Sequence, residues 1–98
     1  MTFELIIDPE AKSDLAQARR WYDDQDPGVG RRFAQAVDAA FQRIKERPHL
    51  YPLVTEDVHF ITPRRFPYVV YYRVEGSNVV VLAIVHQRRD SAVWRRRL

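Results

Sequence analysis

Hydrophobic side chains near the N-terminus alternate with polar ones and then change to a helical spacing. The alternation over Thr2–Ile7 predicts a short strand. A helix start follows, because Asp8 can cap a helix and Pro9 suits the first helical position. Apolar residues then recur along one stripe of a helix, at Ala11, Leu15, Ala18 and Tyr22.

A second and stronger helical pattern begins after the break at Asp26-Pro27-Gly28. Its apolar stripe consists of Val29, Phe33, Ala36, Val37, Ala40, Phe41 and Ile44. The helix should end near Arg47, because Pro48 disfavours a helical conformation in the residue before it. Two helices joined by so short a connection are predicted to form an antiparallel hairpin.

The C-terminal half has the patterns of strands. Tyr68–Val74 and Val79–His86 are rich in β-branched and aromatic residues, and the turn sequence EGSN between them predicts a hairpin. Val58–Ile61 is a weaker strand candidate. It lies between an irregular stretch, His49–Asp57, and a corner bounded by prolines, Pro63–Pro67.

The strand Val79–His86 indicates how the elements should be arranged. Its odd and even positions are both apolar, so both of its faces should be covered and each edge should have a neighbouring strand. The hairpin partner is one neighbour, and the N-terminal strand is the best remaining candidate for the other. The order β-α-α-β-β-β predicts an α+β fold, with a helical hairpin packed on a small, mostly antiparallel sheet and a short C-terminal helical tail.

The composition predicts one folded domain over residues 1–98 that needs no metal and no cofactor. The chain is 46% hydrophobic and has no cysteine, which excludes a disulfide scaffold, a thiolate metal site and a cysteine nucleophile. The spacing of His49, His59 and His86 matches no metal-binding motif. No apolar run approaches the ~20 residues of a membrane span, so we expect a soluble, cytoplasmic protein with no membrane partner.

Basic residues are concentrated towards the C-terminus. Residues 1–63 carry eight Lys and Arg against eleven Asp and Glu, whereas residues 64–98 carry eight Arg against Glu75 and Asp90. Guanidinium groups bind oxyanions through paired hydrogen bonds, so this region predicts a surface for phosphates or for an acidic partner. The alternative is that these residues are scattered over a solvated face.

The predicted hairpin register brings several of these side chains together. With a two-residue turn, Arg73 opposes Val80 and, further along, Arg65 opposes Arg88. Side chains alternate between faces, so Arg65, His86 and Arg88 would share one face at one end, with Arg73 on that face at the other end. This register assumes that the hairpin has no bulge, and Pro67 makes a bulge plausible. A slip of one residue would move this set to the opposite face.

Such a cluster can bind phosphates and could in principle cleave RNA without a metal. That chemistry needs a base for the 2′-hydroxyl, an acid for the leaving oxygen, and cations for the charged phosphorane. His86 is the candidate for proton transfer, and Arg65, Arg88 and Arg89 could supply the positive charge. A second proton-transfer group is not evident. The alternative is a histidine that only hydrogen-bonds its neighbours at a strand end.

The motifs along the chain, taken together, resemble the RelE/ParE superfamily of type II toxin–antitoxin toxins. They are DPEAKSDL, the WY pair, PGVGRRFAQAV, ERPHLYP, RRFPYVVYYRVEG and VLAIVHQRRDSAVWRRR. They extend from about Ile7 to Arg97 in the expected order and spacing. The most specific feature is the P-Y-V-V-Y-Y-R-V strand combined with the V-H-x-x-R-D-x-x-x-W-x-x-R tail.

The resemblance implies a fold of two helices on a small antiparallel sheet and a role in inhibiting bacterial growth. It also implies a cognate antitoxin that wraps the toxin with an acidic, amphipathic C-terminal segment, so that the two form a hetero-oligomer. Operator DNA would be bound only through the antitoxin.

The superfamily divides into branches that imply different targets. RelE-like members are ribosome-dependent mRNA endoribonucleases, for which the catalytic residues here would be His86, Arg65, Arg88 and Arg89. ParE-like members inhibit DNA gyrase and are not enzymes. RelE-like sites use several Lys and Arg residues on the sheet and commonly a tyrosine or histidine near the C-terminus. This chain departs from that pattern, because Val58–Arg65 lacks lysine and no tyrosine follows Tyr72. The V-H-x-x-R-D tail more closely resembles the ParE-like branch. A third possibility is a non-toxic module that only binds an antitoxin.

The resemblance and the charge pattern together assign a second set of residues, for target or partner binding. In the ParE-like reading, His86, Arg89, Asp90 and Trp94 would be largely structural, whereas Arg95–Arg97 would belong to the target surface. The residues predicted for target or partner binding are Arg64, Arg65, Arg73, Arg89, Trp94, Arg95, Arg96 and Arg97.

Overall fold

Two helices and four strands follow one another in the order that the sequence predicts. A computed structural model describes residues 3–88 and 95–97. Its elements are β1 (Glu4–Ile7), α1 (Pro9–Gln25), α2 (Pro27–Glu46), β2 (Val58–Ile61), β3 (Tyr68–Glu75) and β4 (Asn78–His86). The sheet has the order β1-β4-β3-β2, with β1 parallel to β4 and the other neighbours antiparallel. The predicted α+β fold is confirmed, and the predicted helical tail falls mostly on residues outside the described part.

The helix boundaries follow from local hydrogen bonding. The Asp26 side chain accepts a hydrogen bond from the Gly28 N–H at 3.0 Å, which caps α2, and Pro27 occupies its first turn. The prediction that Asp8 caps α1 with its side chain is wrong. Its backbone carbonyl accepts the Lys12 N–H instead, and its side chain makes no capping hydrogen bond.

The helical hairpin is tight because the two helices are separated by a single residue. An added Cβ at Gly30 would lie 1.7 Å from Oδ1 of Asp23, so α2 approaches α1 at a distance that no larger residue permits without movement of Asp23. This close approach lets both helices cover the same face of the sheet.

The main core lies between the helices and the sheet. Buried side chains of α2 contact buried side chains of the two central strands, and each large one contributes about 1.5–3 kcal/mol to folding. These residues are Phe33, Val37, Ala40, Phe41, Ile44, Tyr68, Val70, Tyr72, Val79, Val81 and Ile84. A second cluster on the opposite face contains Val58, Tyr71, Val80, Leu82, Ala83 and Val85. Both faces of β4 are therefore buried, as predicted.

The irregular stretch after α2 covers the outer edge of β2. The Phe60 N–H donates to the Pro52 carbonyl, and the Val54 N–H donates to the Val58 carbonyl. This covering protects an edge strand that would otherwise expose unpaired backbone groups.

Two buried side chains hold this stretch in place. The Tyr72 hydroxyl donates to the Pro48 carbonyl at 2.7 Å, and the His59 Nδ1 donates to the Tyr51 carbonyl at 2.8 Å. The His59 ring is stacked on Tyr72 with centroids 5.1 Å apart. Burial raises the pKa of Tyr72, and Tyr51 raises it further, so the hydroxyl stays protonated and keeps its role as donor.

A β-bulge changes the hairpin register part-way along. Pairing is as predicted from Glu75 opposite Asn78 to Tyr72 opposite Val81, and then Tyr71 pairs with Ala83. Leu82 is the extra residue. The predicted register is therefore wrong by one residue beyond the bulge.

The bulge separates residues that the sequence placed on one face. His86 pairs with Tyr68, whose side chain belongs to the core under the helices. Arg73 pairs with Val58 and Val80, which belong to the cluster on the opposite face. The prediction that Arg73 and His86 share a face is wrong for this reason.

Within the described residues, no helix is both long and apolar enough to cross a bilayer.

Candidate target- and partner-binding surface

His86 ends β4 beside the C-terminal half of α1. Its ring meets the Tyr68 ring edge to face, with centroids 5.3 Å apart. It also lines a cleft of about 410 Å³ whose other walls are Trp21, Tyr22, Pro67 and Tyr68. The described lining thus consists of aromatic side chains, proline and one histidine, without a carboxylate.

A backbone contact determines which nitrogen of His86 carries the proton. The Arg88 N–H donates to the His86 Nδ1 at 3.0 Å, and a backbone N–H can only donate, so Nδ1 is the acceptor. In the neutral ring the proton therefore sits on Nε2. The lone pair that a general base needs is already engaged by the backbone.

The described lining of this cleft supplies no second base beside His86. Burial raises the pKa of Tyr22, and the neighbouring Tyr68 raises it further, so its hydroxyl remains protonated at neutral pH. The described lining thus offers aromatic surface and hydrogen-bond donors but no partner that would accept a proton from RNA.

Arg64 and Arg65 lie at the corner before β3, against α2 rather than beside His86. They line a groove of about 500 Å³ together with residues of α2 and Phe66. Arg65 has a φ of 71°, the left-handed region that few residues other than glycine adopt. The cleft of His86 and the groove of Arg65 have no lining residue in common. The cross-strand pairing on which their predicted association rested does not form.

Arg73 is engaged in ion pairs at the opposite end of the hairpin. Its Nε lies 3.0 Å from Oδ2 of Asp57, and its Nη1 lies 3.8 Å from Oε2 of Glu75. The side chain is 25% exposed, and these two carboxylates neutralise it. Arg73 therefore joins β3 to the segment before β2.

Arg97 binds two carboxylates of α1. Its Nε lies 2.9 Å from Oε2 of Glu10, and its Nη1 and Nη2 donate to the two oxygens of Asp14. The side chain is only 15% exposed. The hydrogen bond to Asp14 raises the pKa of Arg97, against the opposing effect of burial. This bidentate pair attaches the end of the chain to the first helix.

The same ion pair completes the edge of β4. Strand β1 ends at Ile7 opposite Val81, so β4 continues past the last partner on that side. There the Ile84 N–H donates to Asp14 at 3.0 Å, and the Leu82 carbonyl accepts from Arg97 at 3.2 Å. Both residues are 2% exposed, so these backbone groups would be unsatisfied without Asp14 and Arg97.

The comparison with known proteins identifies the family. Residues 5–91 match the family model described as the ParE toxin of the type II toxin–antitoxin system parDE. The chain belongs to this family. It is a ParE-family toxin of a type II toxin–antitoxin system. No curated protein sequence matches it.

Solved structures show the same fold in two related systems. The chromosomal ParDE system of P. aeruginosa includes a chain with a TM-score of 0.64 and 20% identity, and the match covers 87% of this chain and 96% of that chain. The RelBE2 toxin–antitoxin complex of Mycobacterium tuberculosis includes a chain with a TM-score of 0.60 and 24% identity, with coverage of 88% and 99%.

The remaining candidate residues of this ParE-family toxin are at its C-terminus. Arg95 and Arg96 are exposed, next to the anchored Arg97. Arg89 and Trp94, together with Asp90, lie outside the described residues. Within the described ranges, no three side chains of the types that bind metals come together.

The sequence interpretation missed Asp14 and Glu10. Asp14 lies three residues after Ala11 and four before Ala18, so it interrupts the apolar stripe of α1 with a carboxylate. That interruption is the signal that could have identified it as a buried ion-pair partner.

Proposed function

We propose that this ParE-family toxin inhibits bacterial growth by binding DNA gyrase, without cleaving RNA itself. The observation that carries the proposal is the engagement of the His86 Nδ1 by the Arg88 N–H, in a cleft whose described lining supplies no other base. Metal-free RNA cleavage needs both a base and an acid. The match to the ParE description supports the same branch.

Target binding would use the basic tail. Arg95 and Arg96 are exposed, and Arg97 anchors them through α1. Preorganised guanidinium groups lose less conformational entropy on binding, which favours recognition of an acidic protein surface. Arg89 and Trp94 belong to the same predicted surface on sequence grounds.

The partner that restrains the toxin would be a cognate antitoxin with an acidic amphipathic segment. Both solved neighbours come from toxin–antitoxin systems, ParDE and RelBE2, and the fold of this chain is common to them. The toxin and antitoxin would form a hetero-oligomer, with operator DNA contacted by the antitoxin only.

Induced expression separates gyrase inhibition from the alternatives when translation, DNA replication and plasmid supercoiling are followed in parallel. We expect replication and supercoiling to fail first, and the purified protein to inhibit supercoiling by gyrase in vitro. Arrest of translation with normal supercoiling would replace this proposal with the RelE-like endoribonuclease. Normal growth would indicate a module that only binds an antitoxin.

The His86→Ala variant tests whether toxicity depends on RNA cleavage or on target binding. If the protein acts by binding gyrase, the variant should retain growth inhibition and cause no ribosome-dependent mRNA cleavage. A loss of toxicity together with a loss of mRNA cleavage, in a variant that unfolds at the same urea concentration as the original protein, would show that His86 is catalytic.

A further inference from the structure

Two cavities beside α1 share an exposed tryptophan. Trp21 is 55% exposed, and it lines both the cleft of about 410 Å³ at His86 and a smaller cavity of about 250 Å³. Tyr68 also lines both, so the two cavities adjoin each other. The larger one falls within the roughly 300–1,000 Å³ that is typical of sites for small ligands.

The larger cavity is an aromatic chamber, whose described walls are Trp21, Tyr22, Pro67, Tyr68 and His86. It has one fixed hydrogen-bond donor. The His86 Nδ1 accepts the Arg88 N–H at 3.0 Å, so Nε2 carries a proton in both the neutral and the charged ring. A planar heterocycle suits these walls, because it can stack on the rings and accept a hydrogen bond at its edge.

The smaller cavity is a polar chamber, to which Asp14 and Gln17 contribute acceptors. Asp14, Gln17 and Trp21 lie at i, i+3 and i+7 on one face of α1, so these acceptors extend over about 10 Å from the tryptophan. The Gln17 amide nitrogen donates to the Ser13 hydroxyl at 3.2 Å. Within the described residues, the Gln17 carbonyl oxygen has no donor and remains available to a ligand.

Asp14 also keeps acceptor capacity in the polar chamber. Its Oδ2 accepts from the Ile84 N–H and from Arg97, whereas its Oδ1 accepts from Arg97 alone among the described residues. An ionised carboxylate offers about four acceptor positions, so a hydroxyl group can still donate to Asp14.

We propose that the two chambers together bind a free ribonucleoside. The base would stack on Trp21 and accept a hydrogen bond from the His86 Nε2, and the sugar hydroxyls would donate to Asp14 and Gln17. This assignment uses only the two chambers and does not depend on the proposed inhibition of gyrase.

Other aromatic ligands use only part of this arrangement. A phenylalanine or tryptophan side chain of a peptide has no acceptor at its ring edge for His86 and no pair of hydroxyls for the polar chamber. A quaternary ammonium group would use the rings, but the charge of Asp14 is already balanced by Arg97. A ribonucleoside combines the acceptor edge, the ring faces and the hydroxyl donors in one molecule.

Titration of the whole protein with adenosine, guanosine, cytidine and uridine tests the proposal. In calorimetry and saturation-transfer NMR, we expect at least one of them to bind with a Kd below about 1 mM. The matched control is the 2′,3′-dideoxy analogue of that nucleoside, which keeps the base and lacks the hydroxyls. It should bind about tenfold more weakly, because the acceptors of the polar chamber lose their donors.

Variants of exposed residues locate the base. Trp21→Ala should weaken binding of the nucleoside at least about tenfold, because it removes the stacking surface. Leu50→Ala, which changes an exposed apolar residue outside both chambers, should leave binding within about twofold. Each variant should unfold at the same urea concentration as the original protein.

Two further variants locate the hydrogen bonds. Gln17→Leu should weaken binding of the ribonucleoside about fivefold and leave binding of the dideoxy analogue unchanged, since only the ribonucleoside donates to Gln17. His86→Phe keeps a ring in the wall and removes the Nε2 donor, so it should weaken both ligands by the same factor.

Four results would overturn the proposal. The first is no binding of any of the four nucleosides up to about 5 mM. The second is an equal loss for Trp21→Ala and Leu50→Ala, which would place the ligand elsewhere. The third is equal affinity for the ribonucleoside and its dideoxy analogue. The fourth is binding of an RNA of about ten nucleotides that Trp21→Ala weakens, without binding of a free nucleoside, which would assign the chambers to a nucleic-acid strand.

Discussion

Asp14 in α1 binds the guanidinium of Arg97 through both of its carboxylate oxygens. One of these oxygens also accepts the backbone N–H of Ile84. A single carboxylate therefore joins the first helix, the longest strand and the end of the chain. It does so at the position where β1 stops and β4 continues.

Loss of either partner of this ion pair should destabilise the fold. We expect Arg97→Ala to lower the free energy of unfolding by about 2–3 kcal/mol, because it leaves a largely buried carboxylate and the Leu82 carbonyl without their donor. Asp14→Asn should have a smaller effect, since the amide oxygen can still accept from Ile84. Urea unfolding followed by tryptophan fluorescence measures both.

Arg96→Ala is the control for that comparison, because Arg96 is exposed in the same tail. It should change the unfolding free energy by less than about 0.5 kcal/mol. A double-mutant cycle for Asp14→Asn and Arg97→Ala that gave no coupling energy would contradict the ion pair.

Stability should fall at alkaline pH because of Tyr72. Its folded-state pKa is raised by burial above the value of 10.0 that the unfolded chain has, so the folded state holds the proton more tightly. The resulting stabilisation is fully present below pH 10 and is lost progressively as the pH rises above 10. Urea titrations between pH 8 and pH 11 should show this decline.

The Tyr72→Phe variant removes the hydroxyl and keeps the ring, so it measures the contribution of the hydroxyl alone. The free energy of unfolding of the variant should be about 1 kcal/mol lower at neutral pH, because the buried Pro48 carbonyl loses its donor. Its stability should also fall less steeply above pH 10. An unchanged slope in the variant would mean that other groups cause the alkaline decline.

The effect of Gly30→Ala on the free energy of unfolding should change sign according to the residue at position 23. In the original chain the new Cβ would meet the Asp23 carboxylate, so Asp23 must move and its ion pair with Arg19 is disturbed. We expect the free energy of unfolding, measured by thermal or urea denaturation, to fall by about 1 kcal/mol. With Asp23→Ala already present, the same change should stabilise the protein by about 0.5–1 kcal/mol through higher helix propensity.

A destabilising effect of the same size in both backgrounds would disprove this explanation. It would show that the backbone of α1, rather than the Asp23 side chain, limits the space at Gly30.

Charge reversal at Arg96 should weaken target inhibition without affecting folding. If gyrase is the target, as we propose, Arg96→Glu should raise the concentration needed to inhibit supercoiling about tenfold, because a basic contact becomes a repulsive one. Arg20→Glu, an exposed arginine on α1, serves as the control and should have little effect. Equal losses for the two variants would point to general charge attraction instead of a binding site in the tail.

The sequence by itself determined the helices, their connection and the central strand. The 3.6-residue stripe of α2, the Asp26-Pro27 start and the apolar run of β4 are local patterns, and each depends on residues close together in the chain. The neighbour of β4 on its second edge was also predictable, because the N-terminal strand was the remaining candidate.

Only the tertiary structure decided where the candidate site residues lie. The bulge at Leu82 reverses the face of His86, and no turn or glycine signal in the sequence marks it. Arg97 binds Asp14, 83 residues away in the chain, at the part of the β4 edge that the shorter β1 does not cover. Local sequence patterns specify local geometry. The hydrogen-bond partners of the backbone groups at a buried strand edge, however, depend on which side chains from distant parts of the chain reach that edge.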